Sequence, residues 1–417
     1  MPCVLSGQPI RAYHGEPVVN NSLRAVIVKE LLEILTVAER IRAAGQPCAV
    51  ATVVKIGGST YRRPGARMLV DGEGQTWGTI SGGCLEGEVA QQALVCLKEG
   101  SPRLLSFELG EDDLVLGFGT GCGGIVHVFI EPVQPDAVDS VLDLLARCIE
   151  SRQSGMLVTV IDEQGTLPRN LGRHLLLPAS GDLSGGLTDP SLQREVLVAA
   201  QRLLEVERTK RQTYLWHTLA TKSQTGRAEM LLEIVRAPIR LFVFGDGHDV
   251  RAMVRVARQM GWQVVVVGRK PPELLAERFP EADEHVFLMH PKDVMKQIAP
   301  DARSAALVMN HTYVRDRALM AALLKSSVPY VGMLGPAART ARMIEELKRD
   351  EAPPGDDQLA RLFGPVGLDI GTETPEEIAL ASAAEIQAVL HNRSGGHLRE
   401  RAEPIHNLRD RSSEYSA

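Results

Sequence analysis

Ile239-Arg240-Leu241-Phe242-Val243-Phe244-Gly245-Asp246-Gly247-His248 decides the fold of the C-terminal half. Its first six residues form a largely apolar run without alternation, the pattern of a strand buried on both faces of a parallel sheet. The glycines then turn the chain into a helix whose Val250, Met253, Val254, Ala257 and Met260 share one face. Gly261 closes that helix, and Gln263 to Val267 reads as the next strand. Further strands are expected at Ala305–Met309 and Tyr330–Leu334, each followed by a helix. A last helix runs from Pro375 to about Leu390, after a polar loop at Asp350–Gln358. Strands alternating with helices place residues 239–392 in the α/β class, as a Rossmann-like doubly wound parallel sheet.

A dinucleotide fingerprint would need a third glycine, where Val250 stands, and an acidic residue after the second strand, where Gly268-Arg269-Lys270 stands. Arg269 and Lys270 suit a 2′-phosphate or no adenosine ligand at all. NAD(P) or another nucleotide therefore stays open beside a domain used as scaffold. Gly245, Gly247 and His248 are the candidate contacts at the turn. His311, after Asn310 at the ligand-binding edge of such sheets, either meets a ligand or exchanges a proton there, or caps the helix at Asp316.

Upstream, residues 23–238 read as a mixed α/β domain. A helix from Leu23 to about Ala44 leads into strands at Ala49–Val54 and Arg67–Val70 and a helix from Cys84 to about Leu97. A long loop then reaches Gly117, before a strand at Ile125–Ile130. A shift of 107 positions aligns the downstream residues with this stretch, without a gap, for roughly forty residues. Gly65 meets Gly172, Gly74 meets Gly181, Gly78 meets Gly185, and Leu85, Glu88 and Val89 meet Leu192, Glu195 and Val196. Matching glycines in register mark turns whose backbone selects them. An internal duplication is the reading, with copies at about 49–133 and 158–238; chance similarity of two β-turn-β-helix units is the alternative. Residues 1–22 and 393–417 read as flexible tails.

The copies differ in their thiols. Cys84, in Ser81-Gly82-Gly83-Cys84, is matched by Ser191, and Gly121-Cys122-Gly123 has no cysteine counterpart. A cysteine opening a helix can become a thiolate, which suits a soft metal or a transferable sulfur, although Glu86 and Glu88 oppose that. Cys48, Cys96 and Cys148 fall inside strand or helix patterns and read as small buried residues. Structural zinc is disfavoured, because no CxxC pair exists. The cluster Arg62-Arg63-Pro64-Gly65-Ala66-Arg67 reads either as a phosphate-binding fork or as an exposed turn.

The 417-residue chain carries a formal charge of −6, which argues against a nucleic-acid partner. No apolar run reaches the roughly 18 residues of a spanning helix, and no secretory signal is visible. The cytoplasm is the expected compartment, and no membrane partner is expected.

Several stretches together resemble the XdhC/CoxI family, accessory factors of xanthine dehydrogenase and carbon monoxide dehydrogenase. They are Arg63–Val70, Ser81–Gly87, Gly121–Gly124, Phe244–His248, Arg278–Ala282, Tyr330–Gly335 and Gly367–Gly371 with Thr374–Ala379. The resemblance implies a factor that binds and shields the molybdenum cofactor, of molybdopterin type. It supports sulfuration with a cysteine desulfurase, hands the cofactor to a molybdenum hydroxylase, and works as a homodimer. Cys84 and Cys122, with Gly82, Gly83, Gly121, Gly123, Arg63 and Arg67 beside them, inherit the cofactor-binding role. The alternatives are an NAD(P)-dependent oxidoreductase built on the Rossmann half and a non-catalytic docking scaffold. The chain departs from the family pattern at Gly268, Asn310 and Pro336-Ala337, all in the Rossmann half.

Overall fold

A computed structural model describes residues 22–57, 60–108, 124–165, 169–210, 216–223 and 226–400. Of the expected tails, 1–21 and 401–417 fall outside these residues, while Ser22 opens a helix and Leu398–Glu400 form a 3-10 turn. The chain divides into two compact units, Glu30–Ala237 and Pro238–Ala402, the second also taking in residues 21–29. No described helix is long and apolar enough to cross a membrane.

After helix α1 (Ser22–Ala43), the first unit runs β1 (Cys48–Gly57), β2 (Arg67–Asp71), β3 (Thr76–Gly78), α2 (Glu86–Glu99), β4 (Arg103–Glu108) and β5 (Ile125–Val133). A connecting helix α3 (Val141–Glu150) follows, then β6 (Gly155–Gly165), β7 (His174–Pro178), β8 (Ser184–Gly185), α4 (Pro190–Lys210), β9 (Trp216–Ser223) and β10 (Gly226–Val235). Two antiparallel sheets result, ordered β3-β2-β1-β5-β4 and β8-β7-β6-β10-β9. Strand for strand they are the same sheet, which establishes the duplication. Arg103–Glu108 is a correction to the expected long loop. It is an edge strand held only by β5.

Alternation along β1 and β6 sets the layers. Ala49, Ala51 and Val53 pack under α2, and Met156, Val158 and Val160 pack under α4. The opposite faces, through Cys48, Val50, Leu69, Leu157 and Leu176, share one core with α1 and α3. Both long strands bulge at equivalent residues, Val54 and Ile161, each left without a partner in its ladder. These two pack together with Phe129 and Leu231, themselves equivalent, in a small sealed cluster. Equivalent residues meeting each other mean that the copies pack face to face, each offering the same surface.

The second unit runs β11 (Arg240–Phe244), α5 (His248–Gln259), β12 (Gln263–Gly268), α6 (Pro272–Arg278), β13 (Glu284–Phe287), α7 (Val294–Gln297) and β14 (Ser304–Val308). It continues through α8 (Tyr313–Leu324), β15 (Tyr330–Met333), α9 (Ala337–Leu347), α10 (Asp356–Leu359), β16 (Leu362–Phe363) and α11 (Pro375–Leu390). All strand pairs are parallel, in the order β13-β12-β11-β14-β15-β16. This is the Rossmann order, with its switch point between β11 and β14. α5, α6 and α11 cover one face; α7, α8 and α9 cover the other. Val250 is fully buried in the first of these cores, so the position of the missing third glycine is filled by packing.

Candidate functional site

The Ser81–Leu85 loop is built around one carboxylate. Glu86 accepts from the backbone N–H groups of Ile80 at 3.1 Å, Ser81 at 3.0 Å, Gly82 at 3.2 Å, Gly83 at 2.9 Å and Leu85 at 3.2 Å, and from the Ser81 hydroxyl. The Ser81 hydroxyl in turn accepts from Leu85 N at 2.9 Å. Amides can converge in this way because Gly82 and Gly83 adopt φ of 98° and 120°, where a side chain is strained. Burial opposes ionisation of Glu86. The Ser81 hydroxyl and the amides of Ser81, Glu86 and Ile80 outweigh it and bring the carboxyl down to about 2. The amides of the loop that carries Cys84 are therefore taken by Glu86. Its role is to hold the loop.

Cys84 itself is half-buried, whereas Cys48, Cys96 and Cys148 are fully buried. Burial pushes the Cys48 thiol up to about 11, against the pull of Arg42. Burial, with Glu233 nearby, pushes Cys148 to about 12. Cys96 is raised by burial too. Among the described cysteines, only Cys84 is not fully buried. Gly121, Cys122 and Gly123 lie outside the described residues.

The basic turn is not exposed. Arg62, Arg63 and Arg67 are all buried. Arg62 pairs with Glu30 and donates to Thr79 O at 3.1 Å, tying the turn to the strand before the glycine loop. Arg67 pairs with Glu233 and donates to Gly65 O at 3.0 Å. Two of the three guanidiniums are thus used internally, and Arg67 does not stand free for a phosphate. Tyr61, 68% exposed, lies with its ring against Gly82, where an added Cβ would come within 2.9 Å of it. Sequence reasoning missed Glu86 and Tyr61. The signal for Glu86 was its counterpart Gln193, which also accepts from its loop, at Leu187 N, 2.8 Å.

The second unit gathers the other expected residues at its switch point. Gly245 and Gly247 form the turn into α5, and His248 is exposed in its first turn. His311, exposed after β14, contacts Asp249 at 2.9 Å through Nε2. A Cβ at Gly247 would fall 2.4 Å from Asp249 Oδ1, so a side chain there would displace the Asp249 carboxylate. Gly268 ends β12 with Leu275 packed on it, 2.8 Å from where a Cβ would lie, so an acidic residue of a dinucleotide site would require Leu275 to move. Arg315, depressed by burial and by the charge of Arg269, donates to Leu288 O and Met289 O.

Comparison with known proteins gives matches along most of the chain. The model of the XdhC and CoxI family matches residues 41–108 and again 148–215, at the duplication's spacing. The XdhC Rossmann domain model matches 241–386. The chain is 30% identical over 345 residues to a probable xanthine dehydrogenase subunit of Bacillus subtilis, covering 82% of this chain and 92% of that protein. It is 22% identical over 369 residues to the molybdenum cofactor insertion chaperone PaoD of Escherichia coli, covering 88% and 91%. A crystal structure from Bacillus halodurans, named as a xanthine dehydrogenase, superposes with a TM-score of 0.64 at 25% identity, covering 89% of this chain and 98% of that one.

Proposed function

The chain belongs to the XdhC and CoxI family, and from that premise we propose that it binds the molybdenum cofactor as cargo, shields it, and delivers it to a xanthine dehydrogenase-type molybdenum hydroxylase. One observation carries this reading: Cys84 is the described cysteine that is not fully buried, on a loop fixed by Glu86. A thiolate is a soft donor suited to a sulfur-rich metal centre, so the residues present fit the cargo. The relatives named for xanthine dehydrogenase and for cofactor insertion point the same way.

In this reading Cys84 holds the cargo and Glu86 keeps the loop in place while it arrives and leaves. Cys122 supplies a second thiol. A cysteine desulfurase acts on the held cargo, and the protein works in the cytoplasm as a homodimer. The test is metal analysis and mass spectrometry of protein purified from a cofactor-producing host. Wild type should retain molybdenum and pterin, and Cys84→Ala and Cys122→Ala should each retain less. Unchanged retention in the double variant would overturn the thiol site.

A further inference from the structure

Three arginines of one turn are buried side by side, and two are paired. Arg63 is only 7% exposed, yet among the described residues no carboxylate, carbonyl or hydroxyl accepts from its guanidinium. Burial alone lowers its guanidinium below the usual arginine value, with no charge partner to offset it. Burying an unpaired cation is costly, so the fold should avoid it unless something else completes the pair.

The duplication supplies an internal control. Position 63 corresponds to Asn170, and the backbone turns agree: Gly65 N donates to Val53 O at 2.8 Å, and Gly172 N donates to Val160 O at 2.9 Å. Asn170 is fully buried, and its Oδ1 accepts from Thr188 N at 2.6 Å, where Thr188 corresponds to Ser81. In the second copy the side chain at this position meets the loop that corresponds to the glycine loop, and fills the slot from within. In the first copy Glu86 already holds the amides of that loop. The scaffold does not require an arginine here, and yet one stands there without an acceptor.

We propose that Arg63, beside the Gly82–Gly83 loop, is the subsite for a phosphate-type oxyanion, a phosphate monoester or pyrophosphate, of the ligand whose soft centre meets Cys84. The guanidinium offers a planar fork of donors that matches such an oxyanion, and Tyr61 stands at the rim. The identity of the ligand rests on the cofactor reading above; the oxyanion site rests on Arg63 alone.

The experiment titrates the full chain with inorganic pyrophosphate by calorimetry, and follows thermal unfolding without it. Arg63→Asn, which copies the second repeat, should weaken pyrophosphate binding about tenfold or more, and Arg63→Lys should fall between. Cys84→Ser should bind pyrophosphate as wild type does, while losing cofactor retention. Without ligand, Arg63→Asn should unfold at the wild-type temperature or above it, since an uncompensated buried charge is removed. Absence of pyrophosphate binding by wild type, equal affinity in Arg63→Asn, or a lower unfolding temperature for that variant would each overturn the proposal. Wild-type protein that binds pyrophosphate through Arg63 but retains no molybdenum would overturn the cofactor reading and leave this site standing.

Discussion

Arg67 of the first repeat pairs with Glu233 of the second, and the residues equivalent to them, His174 and Glu131, pair in the opposite direction at 2.6 Å. All four are buried. His174 is further held by Thr159, 3.1 Å from its Nδ1. The two pairs join the repeats reciprocally, so each repeat orients the other.

Cutting one pair should therefore be worse than removing it. Arg67→Met leaves Glu233 buried without its cation and should cost about 3–5 kcal/mol. Arg67→Met with Glu233→Leu should recover most of that loss. Urea unfolding of the two variants measures the difference, and equal losses would mean that the pair is not what orients the repeats.

Glu86 gives a pH prediction with a definite sign. Its carboxyl is lowered from 4.5 to about 2, so its contribution is complete above about 4.5 and is lost as the pH falls toward about 2. Glu86→Ala leaves several loop amides without an acceptor and should cost about 2 kcal/mol at neutral pH. Glu86→Gln, the arrangement of Gln193, should cost less. The gap between wild type and either variant should close as unfolding curves are taken to lower pH. A gap that stays constant between pH 5 and pH 2 would contradict the assignment.

The parallel sheet and the duplication were legible because their signals are local. Buried strands such as Leu241–Phe244 announce themselves by composition. Gly74 and Gly181, or Gly78 and Gly185, recur in register because each turn has positive φ. Strand β4 was hidden because it is an edge: its burial alternates between half-buried and exposed, with charged Arg103 and Glu108 at its ends. Helix α3 is the counterpart of the end of α1, its last residue Glu150 lying 107 positions after Ala43; it is short, and its start is marked only by the capping box of Ser140 and Asp143. The fate of Arg67 was beyond any local reading, since its partner lies 166 positions away and is reached only after the repeats pack.

His311 bears a backbone conformation that histidine adopts reluctantly, with φ of 62°. Asparagine tolerates that region and a β-branched residue does not. His311→Asn should leave the unfolding temperature near that of wild type. His311→Val should cost about 1–3 kcal/mol, although both variants lose the same contact with Asp249. Equal destabilisation by the two would show that the Asp249 contact, not the backbone, governs this position.

Thiol labelling separates the described cysteines without any ligand. Cys84 should react with an aromatic disulfide reagent in the folded protein at neutral pH, because it alone of the described cysteines is not fully buried. Cys48 and Cys148 are doubly protected: both are buried, and burial holds their thiols up at about 11 and about 12, so almost no thiolate forms near pH 8. They should react only at the rate of unfolding, and mass mapping of the labelled peptides assigns each event. Rapid labelling of Cys48 or Cys148 alongside Cys84 would mean that the core shared by the two repeats opens far more readily than its packing implies. The accessible thiol would then no longer single out the glycine loop.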